Sequence, residues 1–110
     1  MAEQAYWELR RARAKFITTS FVLLECGNAA ARRPYRDNVL ALKRKLETRQ
    51  ALIEPTPTDL EQAWTAYRQH EAANAGIVDC VSFVVMRRLG ISEAFTHDDH
   101  FKAAGFVTLF

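Results

Sequence analysis

The chain has 110 residues, of which 49% are hydrophobic and 25% charged, and its formal net charge is only +2. That length supports one modest domain, and the composition is ordinary for a globular protein. The sequence has no apolar run of the roughly 20 residues that span a membrane, and no apolar stretch typical of a signal peptide. We therefore expect a single cytoplasmic domain over residues 1–110, without a membrane partner.

The positive charge is concentrated in three clusters, within residues 10–15, 32–36 and 43–49. Basic clusters can attract phosphate backbones, but a solvated helix face is the simpler explanation of each cluster alone. The two cysteines, Cys26 and Cys80, lie in apolar stretches. We predict that both are small core residues and not a disulfide or a zinc site.

The first part of the chain predicts a short strand between two helices. Periodicity over residues 3–14 indicates a helix, and residues 15–18 then form a strand. This strand runs into a helix cap, because Thr19 or Ser20 can accept a hydrogen bond from an unpaired amide of the next turn. The following helix extends to about Arg33, where the next residue, a proline, ends it.

The middle of the chain predicts a second amphipathic helix and a second strand. The helix covers residues 37–49, and its spacing turns three apolar side chains inward. These side chains are Val39, Leu42 and Leu46. Residues 51–54 then form the strand, which two nearby prolines close.

A capping box predicts the start of the third helix in this region. Thr58 is expected to be the N-cap, with Glu61 three residues further on as its partner. The helix then has an apolar stripe at the i, i+3, i+4, i+7 spacing. The stripe consists of Leu60, Ala63, Trp64 and Tyr67.

The last part of the chain predicts a buried helix between two further strands. A loop precedes Asp79, which opens a helix that is apolar nearly all round and should be central. Gly90 ends this helix. Strands are then expected over residues 93–96 and 106–110.

Strands that alternate with helices predict an α/β domain with a parallel sheet and helices on both faces. Such sheets bind ligands beyond the carboxyl ends of their strands. Three acids lie at such positions. Glu25 is in the second turn of a helix that follows a strand, Asp79 opens the buried helix, and Asp98 directly follows a strand.

Carboxylates gathered in one place repel one another unless a cation neutralises them, and their hard oxygens suit Mg²⁺ or Mn²⁺. Simpler roles remain open, since Asp79 and Asp98 lie where aspartate caps helices and Glu25 can face solvent. His97 and His100 either bind a metal or, as the simpler alternative, belong to a short helix packed on the sheet.

Three segments of the chain resemble the PIN-domain family, especially the VapC-like toxins of bacteria. They cover residues 18–25, 77–86 and 94–106. The resemblance implies a three-layer α/β fold and a Mg²⁺- or Mn²⁺-dependent ribonuclease, with RNA as substrate and a cognate antitoxin as partner. It also implies the metal ligands, because the second, third and fourth acids of the family's quartet match Glu25, Asp79 and Asp98.

The chain departs from the family pattern at several positions. Asp99 stands where relatives often have arginine, and residues 72–75 lack the charges that relatives often carry there. The first acid, and the central strand that ends with it, have no match. We therefore expect about four strands, two exposed strand edges and an incomplete metal site.

The missing strand has three explanations: a start site upstream of Met1, pairing of two chains as a homodimer, or closure of the remaining sheet with loss of activity. The leading interpretation is an RNA endonuclease by family resemblance, and both an active and an inactive form remain open. The alternative is a non-catalytic module that binds antitoxin or RNA, or dimerises. A DNA-cleaving nuclease is a third and weaker interpretation.

Overall fold

The computed structural model describes residues 17–32, 34–70, 74–94, 103–105 and 107–108. Its helices are α1 (Ser20–Ala30), α2 (Arg36–Thr48), α3 (Pro57–Arg68) and α4 (Ile77–Arg88). Its strands are β1 (Thr18–Thr19), β2 (Leu52–Ile53), β3 (Glu93–Ala94) and β4 (Val107–Thr108). The predicted order of these elements is confirmed. The helix expected over residues 3–14 lies outside the described residues.

The described residues belong to two compact units, one of residues 17–55 and one that contains the residues from 56 onward. In the first unit, β1 and β2 pair in parallel, with Thr18 opposite Leu52. In the second unit, β3 and β4 also pair in parallel, with Glu93 opposite Val107. Both pairs therefore have the direction that the alternating strands and helices predicted. None of the helices in the described ranges is long and apolar enough to cross a bilayer.

The strand-to-helix turn at the start of α1 is capped as expected. The Thr19 hydroxyl accepts a hydrogen bond from the amide of Val22 at 3.3 Å. The helix ends at Ala30, before the predicted end at about Arg33, and Ala31 is its C-cap residue. Cys26 is exposed, so its predicted core position was wrong, whereas that of Cys80 is confirmed.

Helix α2 packs on α1 and β2 with a narrow apolar face. Val39 and Leu46 are half-buried as predicted. Leu42 remains 42% exposed, so its predicted inward position was wrong. Because α2 buries none of its residues fully, most of its surface is open to solvent.

Helix α3 begins two residues earlier than predicted. Thr56 is the N-cap: its hydroxyl accepts from the amide of Asp59 at 3.0 Å, and the Asp59 carboxylate accepts from the amide of Thr56 at 2.9 Å. The predicted box of Thr58 and Glu61 was therefore wrong. Pro57 explains the difference, because proline is favoured at the first helical position, where no amide is needed.

The buried face of α3 also differs from the predicted stripe. Ala63 is buried as expected, but Trp64 is 56% and Tyr67 47% exposed. The two rings instead contact each other edge to face, with centroids 5.6 Å apart. The buried face consists of Asp59, Ala63 and Ala66. An aspartate has thus taken a core position that hydrophobic patterning assigns to apolar residues.

Arg88 of α4 explains the buried aspartate. Its Nε donates to Asp59 Oδ1 at 2.9 Å, and its Nη2 donates to Oδ2 at 2.9 Å. This two-pronged contact joins α3 to α4 within the second unit. Asp59 is 2% exposed, whereas the Arg88 side chain keeps 41% of its surface in water. The ion pair is therefore buried at its anionic end only.

Helix α4 supplies the core of the second unit. Six consecutive residues, 80–85, are buried, which confirms the prediction of a central helix. Leu89, expected inside, is 41% exposed. Gly90 ends the helix as predicted, with a backbone φ of 71° and its amide bonded to the Arg87 carbonyl at 3.2 Å.

We expect the Asp59–Arg88 pair to stabilise the second unit. The Arg88 guanidinium, together with the Thr56 amide and hydroxyl, holds the pKa of Asp59 below its ordinary value of 3.8, although burial opposes this. Arg88→Met should lower the free energy of unfolding by about 3 kcal/mol at neutral pH, because it strands a buried carboxylate. Chemical denaturation measures this loss, and Lys43→Met, which breaks an exposed pair, should change stability by under about 0.5 kcal/mol.

The pH dependence of that loss has a defined direction. Since the folded-state pKa of Asp59 is depressed, the stabilisation is present above the unfolded value and disappears as the pH falls through the folded value. The difference in the free energy of unfolding between wild type and Arg88→Met should therefore become smaller in acid. A difference that is the same at all pH values would contradict this account.

The end of α2 offers a second test of local energetics. Gln50 has a φ of 53°. Its amide donates to the carbonyl of Glu47, and the amide of Ala51 donates to the carbonyl of Leu46. The same pattern occurs at Gly90, at the end of α4. Because left-handed backbone favours glycine, Gln50→Gly should raise the free energy of unfolding by roughly 1 kcal/mol.

Gly90→Gln is the matched reverse change. A Cβ atom added at Gly90 would meet no atom within 4 Å, so the cost expected for this change is that of the left-handed backbone. It should lower the free energy of unfolding by roughly 1 kcal/mol. If both substitutions changed the free energy of unfolding in the same direction, the assignment of left-handed backbone to the ends of these helices would be contradicted.

Candidate active site

Glu25 is carried by the second turn of α1, which the Thr19 cap starts directly after β1. Its side chain is exposed, and so are its neighbours Leu24 and Cys26. Among the residues that the structure describes, none forms a hydrogen bond or ion pair with the Glu25 carboxylate. The carboxylate is therefore accessible to solvent, which is compatible with either of the roles that the sequence left open.

Asp79 is the third residue of α4 and is half-buried. The N-cap of that helix is Gly76, which has no side chain to pair with the first amides. Asp79 is therefore not the N-cap that its position in the sequence suggested. A carboxylate in the first turn still gains from the positive end of the helix dipole, which favours its charged form.

Asp98 lies outside the described residues, as do His97, Asp99 and His100. The structure does show the strand that precedes them, β3, which ends at Ala94 and pairs with β4. The position of Asp98 directly after that strand stays a prediction, since residues 95–102 lie outside the described ranges. Whether its carboxylate meets those of Glu25 and Asp79 stays a prediction, since Glu25 and Asp79 belong to different units.

Ser20 is a polar residue at this edge that the sequence suggested only as a helix cap. Thr19 takes the capping role, and the Ser20 hydroxyl oxygen is buried with no hydrogen-bond partner among the described residues. Ser20 directly follows β1, where parallel sheets receive ligands. No sequence signal could have revealed it, because an unpaired hydroxyl is visible only once the neighbouring atoms are placed.

The predicted ligands fit a divalent ion by their donor chemistry. Carboxylate oxygens are the ligands that Mg²⁺ and Mn²⁺ prefer, and Glu25 offers an accessible one. Within the described ranges, no three His, Cys, Asp or Glu residues come together closely enough to hold an ion. The predicted set also includes Asp98, which lies outside those ranges.

Comparisons with known proteins bear on the family. The PIN domain family model matches residues 1–107. The chain is 39% identical over 93 residues to the 23S rRNA-specific endonuclease VapC20 of Mycobacterium tuberculosis, in strains CDC 1551 and H37Rv. That match covers 83% of this chain and 70% of the relative.

A solved structure agrees with the sequence matches. The crystal structure of M. tuberculosis VapC20, described as a sarcin-ricin loop cleaving toxin, is similar with a TM-score of 0.78 and 29% sequence identity. The similarity covers 96% of this chain and 82% of that one. The α/β PIN fold and the VapC-like resemblance predicted from the sequence are confirmed. This chain belongs to the PIN-domain family.

Proposed function

We propose that the chain is an RNA endonuclease of a toxin–antitoxin system that depends on Mg²⁺ or Mn²⁺. The observation that carries this proposal is the 39% identity to a 23S rRNA-specific endonuclease over 83% of the chain. The similarity of the fold to that of a sarcin-ricin loop cleaving toxin supports it. A ribosomal RNA stem–loop is therefore the substrate to test first.

Glu25, Asp79 and Asp98 are the proposed metal ligands. A bound divalent ion supplies Lewis-acid chemistry for hydrolysis of a phosphodiester. The exposed position of Glu25 supports access from solvent, and the helix dipole supports a charged Asp79.

The proposed partners follow from the same assignment. They are the RNA substrate, a cognate antitoxin protein and a second copy of the chain, in one cytoplasmic domain. Three leucines exposed on α1 and α2 offer apolar surface to a protein partner. These leucines are Leu24, Leu40 and Leu42.

These exposed leucines also favour the second candidate function, a non-catalytic module that binds antitoxin. The two functions differ in what the acids do. A binding module needs no metal, so its contacts would survive the neutralisation of Asp79. An endonuclease would lose its activity with that charge.

Asp79→Asn should therefore abolish Mn²⁺-dependent cleavage of an end-labelled RNA stem–loop. We expect a rate loss of more than roughly 100-fold, the upper range for residues that merely support a metal ligand. The loss should occur without a change in melting temperature beyond that of the control. Asp37→Asn, at an exposed acid in the first turn of α2, is the matched control and should cleave normally.

Unchanged cleavage by Asp79→Asn would contradict the site assignment. Cleavage of a DNA stem–loop at the same rate would favour the DNA-nuclease interpretation. Retained antitoxin binding by a wild-type protein that cleaves neither substrate would favour the binding module.

A further inference from the structure

Three cations at the C-terminal end of α2 have no counterion in the described part of the chain. Arg44, Lys45 and Arg49 are all exposed. Their side chains form no hydrogen bond or ion pair with any residue that the structure describes. These residues, here called the basic face, therefore leave three positive charges open to solvent.

The other cations of α2 are already engaged. Lys43 Nζ lies 3.1 Å from Glu47 Oε1, and the pair shares one turn of the helix. Arg36 Nε donates to the carbonyl of Ala31 at 2.8 Å. The basic face is thus what remains of the positive charge of α2 after its local contacts are made.

The geometry of the helix gathers these cations on its solvent side. At roughly 100° per residue, they occupy about 140° of the circumference. Val39 and Leu46, the half-buried residues, lie on the other side. Of the residues between these cations in sequence, only Thr48 lies on this face, and Ala41 lies on it just before Arg44. Glu47, which borders this face, is paired with Lys43. The nearest acid on the face itself is Asp37, two turns before Arg44 and about a Debye length away along the axis at 0.1 M salt.

A purely structural role explains the basic face only in part. Cations near the C-terminus of a helix interact favourably with its dipole. Lys45 lies in the last turn and Arg49 is the C-cap residue, so both gain from this effect. Arg44 lies before the last turn, where the effect fades. The dipole therefore does not account for all three charges.

We propose that the basic face binds the phosphate backbone of the RNA that the chain cleaves. The inference rests on the proposed function, which makes RNA the substrate. Three uncompensated positive charges on an open helix face complement a polyanion, and release of its counterions drives such binding. The basic face and Glu25 belong to the same compact unit, in which α1 and α2 pack together.

The test is RNA binding by a variant that neutralises the whole basic face. A fluorescein-labelled RNA stem–loop is titrated with the full chain in EDTA, which prevents metal-dependent cleavage, at several salt concentrations. The variant carries Arg44→Gln, Lys45→Gln and Arg49→Gln. We expect its affinity to fall on the order of tenfold or more near 0.1 M salt. The slope of log affinity against log salt should become shallower by about 2, or about 0.7 for each lost contact on single-stranded RNA.

The matched control removes the same charge from other exposed sites. It carries Arg32→Gln, Lys43→Gln and Arg68→Gln. Its affinity should stay within about threefold of the wild type, and its salt slope should stay close to the wild-type slope, if contacts and not net charge carry the binding. Thermal melting of both variants detects a structural role.

Several results would overturn the inference. The basic-face variant could bind RNA with the affinity and salt slope of the wild type, or the control variant could lose as much RNA affinity as the basic-face variant. Alternatively, the basic-face variant could have a lowered melting temperature with RNA affinity intact, or it could lose only antitoxin binding. Because the titration needs no cleavage, wild-type protein that binds RNA through this face but does not cleave it would contradict only the proposed function.

Discussion

The contact between Asp59 and Arg88 sets the arrangement of the second unit. It joins the first turn of α3 to the last turn of α4 across 29 positions of sequence. The same Asp59 carboxylate also accepts from the Thr56 amide in the cap of α3. The small residues Ala63 and Ala66 let α3 lie close to the buried helix. Arg88 is nine residues, or roughly 14 Å along the axis, from Asp79. The pair therefore supports the proposed ligand by fixing the helix that carries it, not by touching it.

Local patterns predicted the parts of the fold that local physics decides. A helix that is apolar nearly all round after Asp79 indicated a central position, and Gly90 indicated its end, because both signals depend on neighbours in sequence. The face of α3 could not be predicted in this way. Hydropathy places Trp64 inside and Asp59 outside, but a guanidinium from a distant helix reverses both positions. Pro57 was a readable signal for the start of α3, and the capping pattern two residues later concealed it.

The candidate site shows the same division. The positions of Glu25 in the helix after β1 and of Asp79 at the start of α4 followed from the order of the elements. The PIN resemblance implied that they act together with Asp98. The exposure of Glu25 and the unpaired hydroxyl of Ser20 did not follow, because both depend on which atoms pack nearby. The unpaired cations of the basic face could not be predicted for the same reason. The sequence showed a cluster, but only the contacts of α2 separate engaged cations from open ones.

The central proposal is that Glu25 and Asp79 are ligands of a divalent ion. Isothermal titration of Mn²⁺ into the wild type, Glu25→Gln, Asp79→Asn and the exposed control Asp37→Asn tests it most directly. The account predicts that each site variant weakens Mn²⁺ affinity by on the order of tenfold or more, while Asp37→Asn binds as the wild type does. Unchanged Mn²⁺ affinity in Glu25→Gln and Asp79→Asn would contradict it.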